Sequence, residues 1–227
     1  MTVAVVVPVH RNAATLAELV DRVGVALAGQ PWRVRLVVDA CPEGSEVVAR
    51  ALADRDPRVG VSELAVNVGQ HAALRRGLAD EGDAIAWACL DADLQDPPEA
   101  LPALLAGLDG RDVVFAGRRG AYESSGRRLT GGVHRRLVAA LTGLPRDAGA
   151  FLVLGPRARA VVLATPGAPS VVVAVGPRTR AGTGLRVASR PVVRAARAVG
   201  TSAWTSRARA RQSLRTLRWC ARQRTQR

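Results

Sequence analysis

Apolar runs that alternate with stretches of helical spacing limit what this chain can fold into more than any other feature. The runs are short and mainly apolar, and they cover residues 3–7, 34–38, 59–64, 84–90 and 112–116. Runs of this kind are typical of parallel strands buried on both faces. The segments between them with apolar residues at helical spacing are 13–27, 46–54, 71–78 and 99–108. The alternation predicts an α/β fold with a mostly parallel central sheet and helices on both faces.

Polar residues follow four of these runs. Asn12 lies in the loop after the first run, Asp39 ends the second, Asp91 and Asp93 follow the fourth, and Gly117-Arg118-Arg119 follows the fifth. In parallel sheets, ligands bind beyond the carboxyl ends of the strands. The sequence therefore predicts that these four strand ends face one crevice.

The Asp91-Ala92-Asp93 sequence indicates a cation site. The two carboxylates are two residues apart at the end of a buried run, so on an extended backbone they point to the same side. Such close like charges repel unless a cation lies between them. Mg²⁺ prefers one or two carboxylates together with phosphate and water oxygens, and Gln95 offers a neutral oxygen two residues further on. Asp residues followed by Pro97-Pro98 also favour a plain turn, which is the simpler alternative.

The two halves of the chain carry opposite charge. Residues 1–110 hold 9 Arg and 16 Asp or Glu, a balance of −7, whereas residues 111–227 hold 24 Arg and 3 Asp or Glu, a balance of +21. An acidic half with a carboxylate pair suits a metal ion. A basic half suits phosphate, nucleic acid or an anionic membrane surface.

The second half is less regular than the first. Helical spacing over residues 123–142 predicts an Arg-rich helix, residues 170–175 suggest a further strand, and 186–197 an extended segment. Leu214, Leu217 and Trp219 are surrounded in the sequence by arginines. This pattern is compatible with an amphipathic helix that binds anionic lipid. It is equally compatible with a poorly ordered tail. We expect a catalytic domain at 1–160, an extension that packs on it at 161–205, and a basic tail at 206–227.

The sequence also bears on location. No apolar run approaches the roughly 18 residues that a spanning helix needs, and the N-terminus resembles a first strand more than a signal peptide. Cys41, Cys89 and Cys220 are odd in number and widely spaced, which argues against a disulfide framework. We expect a cytoplasmic protein with peripheral contact at the inner face of the membrane.

Six segments in a fixed order carry a resemblance to a known family. They are VVVPVHRNAATL, LVVDACPEGSE, LAVNVGQHAALRRGL, CLDADLQDPPEALPALL, DVVFAGRRGAYES, and RRLTGG through LTGLPRDAGAF, and the resemblance covers roughly residues 3–153. The ordered set resembles the family 2 glycosyltransferases of GT-A fold, and within them the dolichyl- and polyprenyl-phosphate sugar synthases. RAARAVGTSAW is similar to the R-x-x-R-x-x-G-x-S segment that precedes the C-terminal helices of that family.

The resemblance implies an inverting, metal-dependent transfer of a sugar from a nucleotide-diphospho-sugar. It implies that Asp39 lies against the nucleotide base, and that Asp91 and Asp93 take part in catalysis by holding Mg²⁺ or Mn²⁺ with Gln95. Arg119 is implied as a catalytic phosphate contact, with Arg118 as the alternative. The residues expected at the nucleotide-sugar site are Asp39, Asp91, Pro8, Asn12 and Asn67. Those expected at an acceptor phosphate are Arg118, Arg119, Arg128, Arg135 and Arg136.

The chain departs from the family pattern at three places. Val38 replaces an acidic residue that usually precedes Asp39, and the common D-x-G-D-F-R segment is here Asp147-Ala-Gly-Ala150-Phe-Leu. The C-terminal membrane spans of many relatives are not seen. Transfer to a hydroxyl needs a general base, whereas an ionised phosphate needs none. The loss of acid at Ala150 therefore favours a polyprenyl-phosphate acceptor, and Asp147 is the remaining candidate base for a hydroxyl acceptor.

A different class of function stays open. A degenerate GT-A protein that kept the fold and lost the chemistry would bind nucleic acid or an anionic membrane surface through its Arg-rich half. The scarcity of aromatic residues in that half and the lack of a recognised binding motif argue against nucleic acid.

Overall fold

A seven-stranded sheet forms the centre of the molecule. The computed structural model describes residues 2–119, 125–195 and 206–223. The strands are β1 (Val3–Val9), β2 (Trp32–Asp39), β3 (Val59–Leu64), β4 (Ala86–Cys89), β5 (Val113–Arg119), β6 (Leu152–Leu154) and β7 (Val187–Val193). Their order across the sheet is β3-β2-β1-β4-β6-β5-β7. The strands β3, β2, β1 and β4 pair parallel with one another, as do β5 and β7, whereas β6 runs antiparallel to β4 and β5. The predicted mostly parallel sheet is confirmed.

Helices cover both faces of this sheet. They are α1 (Ala13–Ala26), α2 (Ser45–Arg55), α3 (Gln70–Asp80), α4 (Leu101–Ala106), α5 (Ser125–Thr142), α6 (Pro156–Ala164), α7 (Val171–Ala174) and α8 (Ser206–Gln223), with a 3₁₀ turn at Pro98–Ala100 leading into α4. Alternate residues of β1 enter opposite buried clusters: Val5 and Val7 pack with Leu16 of α1, whereas Ala4 and Val6 pack with Leu74 of α3. This two-sided burial explains why the strands are almost continuously apolar.

Two local expectations are corrected. Residues 170–175 were expected to form a strand, but they form the short helix α7, whose first turn is capped by the Ser170 hydroxyl accepting from the Val173 N–H at 3.2 Å. The periodicity of a short valine run does not distinguish a strand from a helix. Here the Ser170 cap stabilises the helical conformation. The sequence predicts Ser45 as the N-cap of the helical segment 46–54, because Ser is a favoured capping residue. In the structure Ser45 is instead the first residue of α2, and Gly44 before it has a φ of 74°.

The tight contact between α3 and the sheet yields a stability prediction. A Cβ added at Gly77 would meet Cγ1 of Val6 and lie 2.8 Å from Cγ2 of Val37. Since an overfilled core forces side chains from their rotamers, we expect Gly77→Ala to lower the free energy of unfolding by about 1–3 kcal/mol. Urea unfolding measures this, with Gly82→Ala as the control because nothing lies within 4 Å of a Cβ there. Equal stability of the two variants would contradict this packing.

The C-terminal part joins the rest of the fold through β7 and α8. Strand β7 extends the sheet beside β5, and α8 packs against α5, with Cys220 fully buried and Trp219 against the core. The alternative prediction of a poorly ordered tail is therefore wrong for residues 206–223. Residues 224–227 lie outside the described part of the structure. The indole of Trp219 packs inward, and the exposed surface of α8 holds several arginines together with Leu214. Among the described helices none is long and apolar enough to cross a membrane.

Candidate active site

The loops that follow β1, β2 and β3 meet at the carboxyl edge of the sheet. The buried carboxylate of Asp39 accepts hydrogen bonds from the backbone N–H groups of Val68 at 2.7 Å and Gly69 at 2.8 Å. The backbone carbonyl of Asp39 lies 3.0 Å from Nδ1 of His10 and 3.4 Å from the amide nitrogen of Asn67. Asp39 thus binds three loops together, and a contact from it to a nucleotide base stays a prediction.

The loop after β1 is shaped by Asn12. Its side-chain oxygen accepts from the His10 N–H at 3.3 Å, and its own N–H donates to the Ser45 hydroxyl at 3.3 Å. Pro8 lies beside Val37 in the ladder between β1 and β2, one step before the loop. The sequence-predicted nucleotide residues Pro8, Asn12, Asp39 and Asn67 are therefore brought to one edge of the sheet. Val38, the departure from the family pattern, is buried in the core.

Cys41 lies in the same loop cluster and gives a chemical prediction. Its Sγ accepts from the Arg11 N–H at 3.2 Å and lies 3.1 Å from the Ser45 hydroxyl. Burial raises the pKa of this thiol, but the hydrogen bonds outweigh burial and the net pKa is lowered. By contrast, burial raises the pKa of Cys89 to about 12 and that of Cys220 to about 11.

Because the thiolate is the reactive form, we expect iodoacetamide at pH 7.5 to label Cys41 at least about tenfold faster than the two buried cysteines. Mass spectrometry of tryptic peptides measures the three rates. Labelling in urea is the control and should equalise them. Labelling of Cys220 in the folded protein as fast as Cys41 would contradict the packing of α8.

The loop after β4 holds the predicted metal ligands in place. Oδ1 of Asp91 accepts a hydrogen bond from the side-chain amide of Gln70, at the start of α3. Oδ1 of Asp93 accepts from the Gln95 N–H at 3.2 Å, across a sharp turn in which Leu94 has a φ of 57°. The side chains that orient a metal ligand tune its affinity for the ion as well as its position. One oxygen of each carboxylate is thus fixed by a neighbouring N–H donor.

Arg194, at the end of β7, enters this acidic loop. Its guanidinium donates to the carboxylate of Asp96 at 2.6 and 3.1 Å, and Nη2 lies 3.7 Å from Oδ2 of Asp91. Burial lowers the pKa of Arg194, but the hydrogen bond to Asp96 and the charges of the nearby carboxylates outweigh it and raise the pKa overall. Sequence reasoning did not place Gln70, Asp96 or Arg194 in the site. The available signals were the additional Asp after Gln95 and the first Arg of the R-x-x-R segment.

The ligand chemistry of the loop fits Mg²⁺ or Mn²⁺. Asp91, Asp93 and Gln95 offer hard oxygen ligands, and Asp96 is held by Arg194 instead. Within the described ranges no group of three or more His, Cys, Asp and Glu side chains is placed to hold a metal ion. Mg²⁺ typically completes such a partial set with water and substrate phosphate oxygens. The residues present therefore suit an ion that binds together with a diphosphate.

The far side of the site contains Asp147 and a cavity. A Cβ at Gly117 would overlap the Asp147 carboxylate, whose Cγ would be 2.9 Å away, so this glycine allows Asp147 to approach the end of β5. A cavity of about 200 Å³ is lined by Arg146 and Ala148, the residues on either side of Asp147 in the sequence, and by His71, His134, Arg135 and Gln212 among others. Nδ1 of His134 is buried without a hydrogen-bond partner, and burial followed by the charge of Arg135 lowers the pKa of this imidazole.

The predicted acceptor arginines are only partly placed. Arg135 lines the cavity and Arg136 is exposed on α5. The backbone of Arg118 and Arg119 pairs with β7 at Val192 and Val193. The side chains of Arg118, Arg119 and Arg128 lie outside the described part of the structure.

A doubly covered α/β sheet with an acidic, cation-suited loop beyond β4 defines the GT-A class of fold, and solved structures agree. Glucosyl-3-phosphoglycerate synthase from Mycobacterium tuberculosis, in complex with Mn²⁺, UDP and glucosyl-3-phosphoglycerate, is similar with a TM-score of 0.67 and 20% identity over 95% of this chain and 77% of that one. Mannosyl-3-phosphoglycerate synthase from Rubrobacter xylanophilus gives a TM-score of 0.69 with 16% identity over 98% of this chain and 73% of that one.

Comparison of the sequence with known families identifies the family of this chain. The chain belongs to glycosyl transferase family 2, because the profile of that family matches residues 4–147. A curated relative, the undecaprenyl-phosphate 4-deoxy-4-formamido-L-arabinose transferase of Salmonella paratyphi B, is 36% identical over 146 residues, which are 62% of this chain and 44% of the relative. The chain therefore matches less than half the length of that relative.

Proposed function

We propose that the protein is an inverting glycosyltransferase that moves a sugar from a nucleotide-diphospho-sugar to a polyprenyl phosphate. The observation that carries the proposal is that Asp39 lies at the carboxyl end of β2, and Asp91, Asp93 and Gln95 follow the carboxyl end of β4, at the same edge of a parallel sheet. Membership of glycosyl transferase family 2 supports the reaction class. The name of the Salmonella relative supports an undecaprenyl-phosphate acceptor.

On the donor side, each residue has a distinct task. Asp39 holds the loops that would flank the base and ribose, together with Pro8, Asn12 and Asn67. Asp91, Asp93 and Gln95 would hold Mg²⁺ or Mn²⁺, which when bound neutralises the diphosphate leaving group as a Lewis acid. Gln70 fixes the orientation of the Asp91 carboxylate. Direct displacement, which inverts the anomeric carbon, is the course that the family resemblance implies.

On the acceptor side, the charges favour an anion. Ala150 is buried and cannot take a proton, and Arg135, Arg146 and two histidines line the cavity beyond Asp147. An ionised phosphate oxygen attacks without a general base, so cationic positioning suffices. Arg118, Arg119 and Arg128 are proposed as further phosphate contacts from the sequence pattern.

The acceptor proposal is tested by paired acceptors. Undecaprenyl phosphate and undecaprenol have the same chain and differ only in the phosphate, so each is incubated with labelled nucleotide sugars and Mn²⁺. We expect product only from the phosphate, and we expect Asp147→Asn to keep transfer within about tenfold of the native rate. Asp109→Asn is the control, because Asp109 is an exposed carboxylate. Equal transfer to the alcohol, abolished by Asp147→Asn, would contradict a phosphate acceptor.

A basic row on α8 supports peripheral contact with an anionic membrane. Arg211, Arg215, Arg218 and Arg222 are exposed at helical spacing along one side of the helix. No carboxylate in the described residues forms an ion pair with any of them. Each such arginine contributes about 1 kcal/mol near an anionic surface, so the row suits adsorption by charge and not insertion.

Vesicle sedimentation tests this surface. We expect Arg215→Gln with Arg218→Gln to weaken binding to phosphatidylglycerol vesicles about tenfold or more, because two surface charges are lost. The control is Arg50→Gln with Arg58→Gln, two exposed arginines already paired with Glu63 and Asp56. Equal binding to neutral and anionic vesicles would contradict the proposal, and preferential binding to nucleic acid would favour the degenerate-protein alternative.

A further inference from the structure

Arg194 brings a buried positive charge into the acidic loop after β4. The Arg194 side chain is 9% exposed and that of Asp96 is 2% exposed, and they form a bidentate ion pair across 98 residues of sequence. A buried carboxylate without a partner would be costly, so this pairing explains how Asp96 is accommodated. The same guanidinium also reaches to within 3.7 Å of Asp91, a predicted metal ligand.

The neighbouring backbone fixes this arrangement. The Ala195 N–H donates to the Gln95 carbonyl at 2.9 Å, and the side-chain amide of Gln95 donates to the Ala195 carbonyl at 3.3 Å. The amide oxygen of Gln95 is therefore turned away from Ala195. The end of β7 and the loop after β4 are held together by side chains and backbone at once, so the backbone that carries Arg194 is fixed beside the acidic loop.

The charges in the loop have a simple balance. Asp91, Asp93 and Asp96 contribute three negative charges, and Arg194 contributes one positive charge. These four groups together carry a charge of −2, which one divalent ion neutralises. Without Arg194 the same loop would carry −3 and would attract a cation more strongly in the absence of nucleotide.

We propose that Arg194 is a positioning residue that acts as a resident counter-cation of the donor site. Its fixed charge opposes binding of the divalent ion and favours binding of the anionic diphosphate, so that the ion binds well only together with the nucleotide. The inference rests on the proposed donor site at Asp91 and Asp93. It concerns the order and coupling of the two ligands, which the family membership does not specify.

The test uses the opposite effects of one charge on two ligands. Calorimetry at pH 8.0 measures the affinity of the full chain for Mn²⁺ alone and for nucleoside diphosphates alone. In Arg194→Met we expect Mn²⁺ to bind about tenfold tighter and the nucleotide about tenfold weaker. The reason is that the guanidinium charge, a few ångströms away, repels the cation and attracts the diphosphate. Arg194→Lys keeps the charge, and we expect both affinities to stay within about threefold of native.

If Arg194 only maintained the local structure, its loss would change the affinities for Mn²⁺ and for the nucleotide in the same direction. Arg35→Met is the matched control, because it breaks another ion pair to a buried carboxylate, that of Glu81, inside the same fold. We expect it to leave both affinities unchanged. Should Arg194→Met prove unstable, Asp96→Asn gives the reverse test, since it removes a negative charge and keeps Arg194. In that variant we expect weaker Mn²⁺ binding and tighter nucleotide binding.

The outcomes separate this inference from the proposed function. Parallel loss of both ligands in Arg194→Met, or no change in either, would overturn the counter-cation role and leave the donor site intact. If neither ligand binds to the native chain, either separately or with both present together, the donor site and this inference are overturned.

Discussion

Replacing Asp93 by Ala is expected to reduce sugar transfer by about a hundredfold or more, measured with the nucleotide sugar that supports turnover. The carboxylate of Asp93 is one of two in the predicted ion site, and the loop that carries it is fixed by its own hydrogen bond to the Gln95 N–H. A bound divalent ion supplies several kcal/mol of stabilisation to a departing diphosphate. Removing a ligand to the ion therefore raises the barrier to transfer.

The control for this variant is Asp109→Ala, which removes an exposed carboxylate elsewhere. We expect excess Mn²⁺ to restore part of the activity of Asp93→Ala, since the remaining ligands still bind the ion weakly. Native transfer rates in Asp93→Ala at low Mn²⁺ would show that the loop after β4 does not hold the ion.

Replacing Asp39 by Ala is expected to have the second large effect, on stability and nucleotide binding together. The buried carboxylate accepts from two backbone N–H groups, at Val68 and Gly69. Buried donors left without a partner are costly, so we expect the free energy of unfolding to fall by about 2–4 kcal/mol. The loop at residues 67–69 would then be released, and we expect nucleotide affinity to fall about tenfold or more.

Asp39→Asn separates the two effects, because it keeps the size and one acceptor oxygen while removing the charge. Urea unfolding and calorimetry measure both variants, with the exposed Asp54→Ala as control. If Asp39→Ala were as stable as the native chain, the junction of the three loops would not depend on this carboxylate.

Much of the fold follows from the sequence because buried parallel strands have a direct signature. Each of β1 to β5 coincides with a predicted run. The signature is clearest in β1 and β4, because burial on both faces requires apolar side chains at consecutive positions. Residues 170–175 carry the same valine signature, yet they form α7. The cap from Ser170 and packing decide the conformation there, and neither is visible in a six-residue pattern.

Site residues that directly follow a strand could be predicted from the sequence. Site residues that pair with a partner far away in the sequence could not. Asp39, Asp91 and Asp93 lie at or just beyond the carboxyl ends of β2 and β4, which share an edge because the strands are parallel. Arg194 was missed because its partner Asp96 is 98 residues away and the chain contains 33 arginines. Gln70 was missed because its amide reaches Asp91 only once α3 is placed.

Calorimetric binding of UDP, GDP and TDP to the native chain, each with and without Mn²⁺, tests the donor site most directly. The predicted result is that one nucleotide binds clearly more tightly than the others, and that its binding depends on Mn²⁺. Failure of all three nucleotides to bind under every metal condition would contradict a sugar-nucleotide site at this edge of the sheet.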